Sequence, residues 1–283
     1  MRTVAILALA ALPALAADWD DWRGWPQHEQ ETIKKSFDTS AAGRKLLVDT
    51  ISGYIHVTGY DGNQVQVSVN KQIYGRSPEA VAEAKKQIKL DLTQQGNFVR
   101  VYEDGPFRDS NGTHYRGDDY YGYRVIWDVE VQVPRTIELS LHNLNSPMVV
   151  KGTSGDYEIN GLNGGIEMDD VAGSGKVRTL NGKLKVGFSR NPEHDCEFHT
   201  LNGAMDVYFH EPLNADLHFK TLNGGVYADF DVSPLPQAVQ GQQRNGKFYY
   251  SNNRNGSARA GKGGPVLTFD GLNGAIRLHT KTL

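Results

Sequence analysis

The amino-acid sequence predicts an all-β protein built as a single-stranded β-helix, with the right-handed form preferred. Three observations lead to this prediction. A Leu-Asn-Gly motif recurs at a spacing near 20 residues, and the residues around it alternate between apolar and polar. Many of the 31 glycines stand in Asn-Gly or Gly-x-Gly contexts, which are typical of short strands joined by tight turns.

The repeated motif has five close copies. Their leucines stand at positions 162, 180, 201, 222 and 272, so the steps between them are 18, 21, 21 and 50. A period near 20 residues is typical of a solenoid in which each turn stacks only on its neighbours. The repeat turns are predicted over about residues 137–283, and the long step predicts an insertion at about residues 231–265.

The residues on both sides of the motif alternate as in strands that bury one face. Stacked turns place matching strands ~4.8 Å apart, so equivalent residues form columns. A leucine-rich-repeat-like solenoid is the alternative, because it has a similar period and also favours Leu and Asn. The columns predicted to point inward are Ile159, Val177, Phe198, Phe219 and Phe269 before the motif, and Ile166, Leu184, Met205, Val226 and Ile276 after it.

The motif itself is predicted to be a structural corner of the backbone. Glycine adopts a positive φ at little steric cost, and asparagine tolerates that region and can hydrogen-bond along a column. We expect the motif leucine to point inward and the threonine before it to point outward. The predicted corner residues are Asn163, Gly164, Asn181, Gly182, Asn202, Gly203, Asn223, Gly224, Asn273 and Gly274.

The start of the chain predicts export. Residues 1–17 contain one Arg, an apolar run and the small-residue pattern Ala14-Leu15-Ala16, as a secretory signal peptide does. The run is shorter than the ~20 apolar residues of a membrane-spanning helix. We therefore expect a periplasmic, cell-surface or secreted protein, with a flexible Trp-rich leader at residues 18–36 and a single β-solenoid domain at residues 37–283.

The N-terminal part of this domain is less regular and contains one predicted flanking α-helix at about residues 78–95. Ser77 is a suitable N-cap, Pro78 suits the first helical position, and Gly96 provides a stop. We expect the helix to cover the end of the solenoid, because open strand edges otherwise recruit other chains.

No outward column combines the groups that a catalytic or metal site needs. Acid and base alternate between turns, as with Glu167 and Lys185, which favours pairing of charges between neighbours. His199 is predicted to lie between Arg178 and Lys220, without a carboxylate beside it. The sequence therefore predicts no catalytic residue, cofactor or metal, and a β-helical polysaccharide-active enzyme stays as an alternative.

The single cysteine excludes a protein held together by intramolecular disulfides, and the net charge argues against a nucleic-acid-binding protein. Cys196 has no second cysteine with which to form an intramolecular disulfide, and its column predicts a buried core thiol. A net charge of -3 over 283 residues predicts no general affinity for nucleic acid.

Binding is expected in two irregular loops, because loops on a rigid scaffold usually carry it. The tyrosine loop, residues 103–124, also contains the tripeptide Arg116-Gly117-Asp118, a match too short to be informative. The basic loop, residues 240–264, holds no acid and suits an anionic polymer or an acidic partner. The candidate contact residues are Tyr115, Tyr120, Tyr121, Tyr123, Arg244, Lys247, Arg254 and Arg259.

Two longer segments and the successive turns together resemble the bacterial putative-adhesin family of unknown function. The segments are "LLVDTISGYIHVTGYDGNQVQVSV" and "IWDVEVQVPRTIELSLHNLNS", and the resemblance extends over about residues 37–283. It implies a non-enzymatic β-solenoid of the cell envelope with an envelope polysaccharide or protein partner, and it supplies no catalytic residues. An envelope-stress signalling accessory protein is a further alternative.

Overall fold

The structure is a computed structural model that describes residues 21–40, 42–110, 112–236, 241–244, 247–250 and 255–281. The predicted signal peptide and Arg254 lie outside the described residues. The described chain is all-β, with sheets that mix parallel and antiparallel strands. It divides into two compact units, one up to Ser146 and one from Pro147. None of the described helices is long and apolar enough to span a membrane.

The first unit begins with a 3-10 turn at Asp21–Gly24. Its strands are β1 (Gln27–Asp38), β2 (Lys45–Thr50), β3 (Ile55–Tyr60), β4 (Gln64–Gly75), β5 (Lys89–Gln95), β6 (Phe98–Asp104), β7 (Arg108–Asp109), β8 (Gly112–Thr113), β9 (Tyr123–Pro134) and β10 (Glu138–Asn143). Its helices are α1 (Pro78–Gln87) and α2 (Asp118–Tyr121). Strands pair in the orders β1-β4-β9-β3 and β10-β2-β6-β5.

Residues 21–36 of the predicted flexible leader are ordered parts of the first unit. Trp22 is buried, packs edge-on against Tyr74, and has the guanidinium of Arg124 4.4 Å from its ring centroid. Strand β1 pairs antiparallel with β4, with Gln27 opposite Gly75. The segment is ordered because both its indole ring and its backbone find partners in the fold.

Helix α1 begins as predicted but is shorter than expected. The Oγ atom of Ser77 accepts a hydrogen bond of 3.3 Å from the Ala80 N–H group, and Pro78 occupies the first turn. The helix ends at Gln87, and the residues predicted to continue it form β5, which pairs antiparallel with β6. Leu90 and Leu92 follow a period of two, so the strand pattern replaces the helical one.

The second unit consists of strands throughout its described part, including the segments where a leucine-rich repeat carries its helix. Its strands are β11 (Met148–Lys151), β12 (Tyr157–Asn163), β13 (Ile166–Val171), β14 (Gly175–Asn181), β15 (Leu184–Phe188), β16 (Cys196–Asn202), β17 (Met205–Phe209), β18 (Ala215–Asn223), β19 (Val226–Ala228), β20 (Val232–Pro234), β21 (Gly241–Arg244), β22 (Lys247–Tyr250), β23 (Asn255–Ala260), β24 (Val266–Asn273) and β25 (Ile276–Thr280). One sheet has the order β11-β13-β15-β17-β25-β19 and the other β12-β14-β16-β24-β18-β23-β20, while β21 and β22 form a hairpin.

The core of the second unit lies between these two sheets. Phe188 of one sheet meets Phe198 of the other with ring centroids 6.4 Å apart. The predicted inward columns are buried, with two exceptions. Phe219 is half-buried, and Val226 is 39% exposed because β19 is the edge strand of its sheet.

The fifth motif does not stack after the fourth. Strand β24 inserts between β16 and β18, and β25 inserts between β17 and β19. Phe269 consequently stacks on Phe198 at 5.3 Å and on Phe219 at 5.6 Å, centroid to centroid. The stacking order of the five motifs is therefore first, second, third, fifth, fourth.

Candidate binding groove on the second unit

The five motif asparagines form a continuous hydrogen-bonded column, the asparagine ladder. The Nδ2 atom of Asn181 donates to Oδ1 of Asn163 at 2.8 Å, and Asn202 donates in the same way to Asn181 at 2.7 Å. Asn273 donates to Asn202 at 2.7 Å, and Asn223 donates to Asn273 at 2.8 Å. These bonds hold the corners of successive turns in register.

Glycine is required at the corners because neighbouring turns approach closely. A Cβ atom on Gly203 would lie 1.9 Å from the carbonyl oxygen of Gly182, and one on Gly224 would lie 1.9 Å from that of Gly274. Gly274 has a φ of 142°, but Gly182, Gly203 and Gly224 lie outside the left-handed region. The expectation of positive φ is therefore wrong for these three corners.

The threonine and leucine of the motif point the opposite way from the prediction. Thr179 and Thr200 are buried, and their hydroxyls donate to backbone carbonyls of neighbouring corners at 2.8 and 3.1 Å. Leu180 and Leu201 are 37% and 38% exposed. Since successive strand residues alternate between faces, an inward Val177 places the leucine of its strand outward.

The outward leucines line an open groove of about 760 Å³ on the outer face of the sheet. We call these residues the leucine column and the space beside them the leucine groove. Leu222, 49% exposed, lies at one end of the column. An exposed apolar strip of this kind is typical of a binding surface. In stacking order the column is Leu180, Leu201, Leu272 and Leu222.

A charged column runs beside the leucine column, two residues earlier on each strand. It consists of Arg178, His199, Asp270 and Lys220 in stacking order. The Oδ2 atom of Asp270 lies 3.6 Å from Nδ1 of His199 and 3.3 Å from Nζ of Lys220. The prediction that His199 has no carboxylate neighbour is therefore wrong. The insertion of β24 between β16 and β18 brings Asp270 beside it, and Oε2 of Glu197, on the same strand as His199, lies 3.3 Å from its Nε2 atom.

Glu197 joins the charged column to its neighbours. It accepts hydrogen bonds from Lys176 and Arg178 at 2.9 and 2.8 Å, and the bond from Lys176 is the main reason that the pKa of Glu197 is lowered to about 2. Among the residues that line the groove, two cations, Arg178 and Lys220, accompany one carboxylate, Asp270. The net charge of the side chains beside the leucine column is therefore positive.

The other sheet confirms the predicted alternation of acid and base between turns. Lys185 pairs with Glu167 at 2.8 Å, and the buried carboxylate of Asp206 pairs with Lys183 at 2.7 Å and with Arg277 at 3.4 Å. Burial alone would raise the pKa of Asp206, but hydrogen bonds from its cationic neighbours, first that of Lys183, lower it. In the described part of the chain, no group of three or more His, Cys, Asp or Glu side chains is arranged to hold a metal ion.

The structure brings the candidate tyrosines together, but mostly in packed positions. The ring of Tyr121 lies 5.8 Å from that of Tyr115 and 5.6 Å from that of Tyr123, which is buried. Tyr120 is 63% exposed, and its hydroxyl accepts a hydrogen bond of 3.1 Å from Arg116. Tyr120 therefore offers the largest free ring surface of the four.

The tripeptide in the tyrosine loop is tied to the first unit through its aspartate. The carboxylate of Asp118 pairs with Arg124 at 2.7 Å, and both side chains are mostly buried. The Tyr115 hydroxyl also hydrogen-bonds to Asp118. Asp118 is thus held by internal contacts in this structure.

The residues of the basic loop occupy different environments. Arg259 makes two hydrogen bonds to Asp216, at 2.7 and 2.8 Å, so its charge is already paired. The backbones of Arg244 and Lys247 face each other in the hairpin of β21 and β22. Arg254 lies outside the described residues. Arg259 is therefore already engaged within the second unit.

Cys196 is buried, as predicted. Its Sγ atom lies 3.7 Å from the hydroxyl of Tyr157, and burial raises the pKa of the thiol. A buried thiol with a raised pKa carries little thiolate and is a poor nucleophile.

The first unit also contains a buried carboxyl group, Glu103, which is not among the sequence-predicted site residues. Glu103 is 2% exposed, and its Oε2 atom accepts a hydrogen bond of 2.6 Å from the Ile51 N–H group. Burial raises its pKa to about 7, although Ile51 and Arg108 oppose the shift. The signal was present in the sequence, since Glu103 continues the period-two series of Val99 and Val101.

No protein-family model matches the chain, and no curated protein matches it. A putative cell adhesion protein from Clostridium sporogenes is 14% identical with a TM-score of 0.32, over 88% of this chain and 100% of its own. A putative adhesin from Bacteroides fragilis is 10% identical with a TM-score of 0.36, over 88% and 97%. A putative lipid binding protein from Parabacteroides distasonis is 11% identical with a TM-score of 0.30, over 89% and 97%.

Proposed function

We propose that this protein is a non-enzymatic, exported β-solenoid that acts as a binding scaffold in the bacterial cell envelope. The signal-peptide pattern of residues 1–17 supports export. The resemblance of residues 37–283 to the putative-adhesin family supports the envelope as its place of action. Its partner is an envelope component, and the outer face of the second unit is its main working surface.

The strand arrangement of the second unit supports the solenoid. Most motifs contribute one parallel strand to each sheet, and equivalent residues stack from turn to turn. The asparagine ladder and the ion pairs between turns stabilise one register. Such a stack is a rigid support for side chains that point outward.

The single observation that carries the binding function is the outward leucine column. Elsewhere in these strands, most large aliphatic residues point inward into the core. A leucine repeated at four stacked turns on the outer face breaks this rule, and consistent sequences break such rules mainly at functional surfaces. We therefore place the main contact surface on the leucine groove, with the tyrosine loop and the basic loop as additional proposed contacts.

Export is tested by expressing the full chain with a C-terminal tag in a Gram-negative host. We expect osmotic shock to release the protein, and mass spectrometry to find a mature N-terminus near Ala16 or Ala17. A full-length protein that begins with Met1 and stays with the cytoplasmic fraction would reject the export proposal.

Binding is tested by retention of the mature protein on an immobilised envelope preparation. We expect the double variant Leu180→Gln/Leu201→Gln to lose retention. Phe98→Gln is the matched control, because Phe98 is 36% exposed but lies in the first unit. Equal retention of both variants would place the contact surface outside the leucine groove.

A further inference from the structure

We infer that the leucine groove binds a single-chain anionic amphiphile in monomeric form, with an acyl chain along the leucine column and an anionic head group at Lys220. This inference rests on the proposed function, because it names the ligand class of the same surface. It is carried by the width of the apolar strip, by its repeat distance, and by the charges beside it.

The apolar strip is long and only one side chain wide. On each strand, the leucine is followed by an asparagine of the ladder and preceded, two residues earlier, by a member of the charged column. At ~4.8 Å between strands, the four leucines extend over about 14 Å. An α-helix is about 10–12 Å across with its side chains and is too broad for this strip. A thin, linear occupant fits it.

The repeat distance of the leucines favours an alkyl chain over an extended peptide. Residues on one face of a β-strand recur every ~6.6–6.8 Å, whereas the leucines recur every ~4.8 Å. The side chains of a peptide laid along the strip would therefore fall out of step with the leucines. An alkyl chain has no side-chain register and can contact every leucine. The groove volume of about 760 Å³ lies within the usual range for small-molecule sites of about 300–1,000 Å³.

The charges beside the groove favour an anionic head group at one end. Lys220 stands next to Leu222 in the terminal turn of the column, and its side chain is 65% exposed. Its ammonium has three N–H donors and, among the described residues, one ion pair, at 3.3 Å to Asp270. Asp270 also contacts His199, so its negative charge is shared. Lys220 can therefore donate to a carboxylate or a similar head group while the chain runs towards Leu180.

The test measures binding of sodium dodecanoate, below its micelle concentration, to the mature protein by calorimetry. Dodecyltrimethylammonium, which has the same chain and the opposite charge, is the comparison ligand. We expect dodecanoate to bind, and the double variant Leu180→Gln/Leu201→Gln to bind it at least about tenfold more weakly. The control Phe98→Gln should retain the parent affinity.

A second variant tests the head group without touching the apolar strip. Lys220→Glu exchanges an exposed side chain and breaks its ion pair with Asp270, so a thermal melt checks that the variant still folds. We expect it to lower the affinity for dodecanoate about tenfold and to raise that for dodecyltrimethylammonium. Equal binding of both amphiphiles by the parent protein would overturn the anionic head group.

Other outcomes would overturn the inference as a whole. The first is that dodecanoate does not bind, and the second is that it binds equally well to the Leu180→Gln/Leu201→Gln variant. The third is that the protein prefers an amphipathic peptide. The fourth is that it binds phosphatidylglycerol vesicles but not monomeric dodecanoate. Envelope retention that needs the leucines, together with no dodecanoate binding, rejects the ligand class and keeps the scaffold. Dodecanoate binding without envelope retention keeps the ligand class and rejects the scaffold.

Discussion

Asn273 donates a hydrogen bond of 2.7 Å to Asn202. Asn223, which follows Asn202 as the next motif asparagine in the sequence, bonds to Asn273 and not to Asn202. The C-terminal turn thus separates two turns that follow each other in sequence. The third turn can therefore contact its neighbour, the fifth turn, only after the insertion and the last motif of the chain are present. The third and fourth turns have no direct ladder bond to each other among the described contacts.

The order of the asparagine ladder predicts which pairs of residues are energetically coupled. We expect Asn202→Ala and Asn273→Ala to show a coupling of about 0.5–1 kcal/mol in a double-mutant cycle, because the two side chains share a hydrogen bond. The pair Asn202→Ala and Asn223→Ala should show a smaller coupling, because these two side chains bond to Asn273 and not to each other. Urea unfolding of the single and double variants provides the free energies of unfolding. Coupling in the second pair without coupling in the first would contradict the strand order.

The close approach of the corners predicts a steric effect at glycine. Gly182→Val and Gly203→Val should each lower the free energy of unfolding by more than ~1 kcal/mol, because the new Cβ would overlap a backbone carbonyl of the neighbouring turn. The control is Gly271→Ala, where the Cβ would lie 3.5 Å from Cε of Met205, an ordinary contact. Thermal and urea unfolding measure the difference. Equal stability of the Gly203 and Gly271 variants would reject the close-approach explanation.

The all-β class was readable from the sequence because it depends on local pattern. The orientation of the leucines was also within reach. Val177, Thr179 and Leu180 lie on one strand, where successive side chains alternate between the two faces. An inward Val177 therefore places Thr179 inward and Leu180 outward. The prediction was wrong because it placed Leu inward and Thr outward by hydrophobicity alone. It did not extend the alternation of the strand into the corner.

The insertion of the last turn could not be predicted in the same way. A step of 50 residues indicates an insertion but does not specify the strand beside which the chain returns. The phenylalanines of the third, fourth and fifth motifs stack equally well in either order, because they are chemically alike. The contact of His199 with Asp270 depends on that order, so local pattern alone cannot reveal it.

The buried carboxyl of Glu103 predicts a pH dependence of stability. Its pKa rises from an ordinary value near 4.5 in the unfolded chain to about 7 in the fold, so the folded state holds the proton more tightly. The contribution to stability is therefore greatest below pH 4.5, decreases as the pH rises towards 7, and then stays constant, with a total change of up to about 3 kcal/mol. Glu103→Gln should remove this decrease between pH 5 and 7.

Urea unfolding of the parent and Glu103→Gln proteins at pH 5, 6 and 7 measures this difference. Asp104→Asn is the matched control, because Asp104 is the exposed carboxyl next in sequence. Taking the difference between variants also removes the effect of Glu197, whose lowered pKa gives stability above pH 4.5 that is lost as the pH falls towards 2. A parallel pH dependence in the parent and Gln variants would show that Glu103 is not responsible.

The burial of Cys196 predicts slow reaction of its thiol. The side chain is 1% exposed and its pKa is raised by burial, so little thiolate is accessible at neutral pH. We expect an aromatic disulfide reagent to label the native protein far more slowly than the urea-unfolded protein, in which the same thiol is free. Rapid labelling under native conditions would place Cys196 outside the core and would shift the column assignment of its turn.

The basic loop predicts a second, salt-dependent contact that is separate from the leucine groove. Replacement of Arg244, Lys247 and Arg254 by Ser should weaken retention on an anionic envelope polymer and flatten its dependence on salt, because counter-charges would be lost from the loop. Arg259→Ser alone should change retention little, because the charge of Arg259 is already paired with Asp216. Retention is measured on the immobilised polymer at rising salt concentrations.

The melting temperature controls for damage to the fold in these loop variants. It should barely move, since exposed substitutions of this kind usually cost less than ~0.5 kcal/mol each. The comparison variants are Glu167→Gln and Lys185→Gln, which remove exposed charges from the regular turns. Arg259→Ser also isolates the effect of removing an arginine whose charge is already paired with Asp216. If retention survives the loop substitutions and is abolished by those in the regular turns, the anionic polymer contacts the regular face, and the basic loop has no part in binding it.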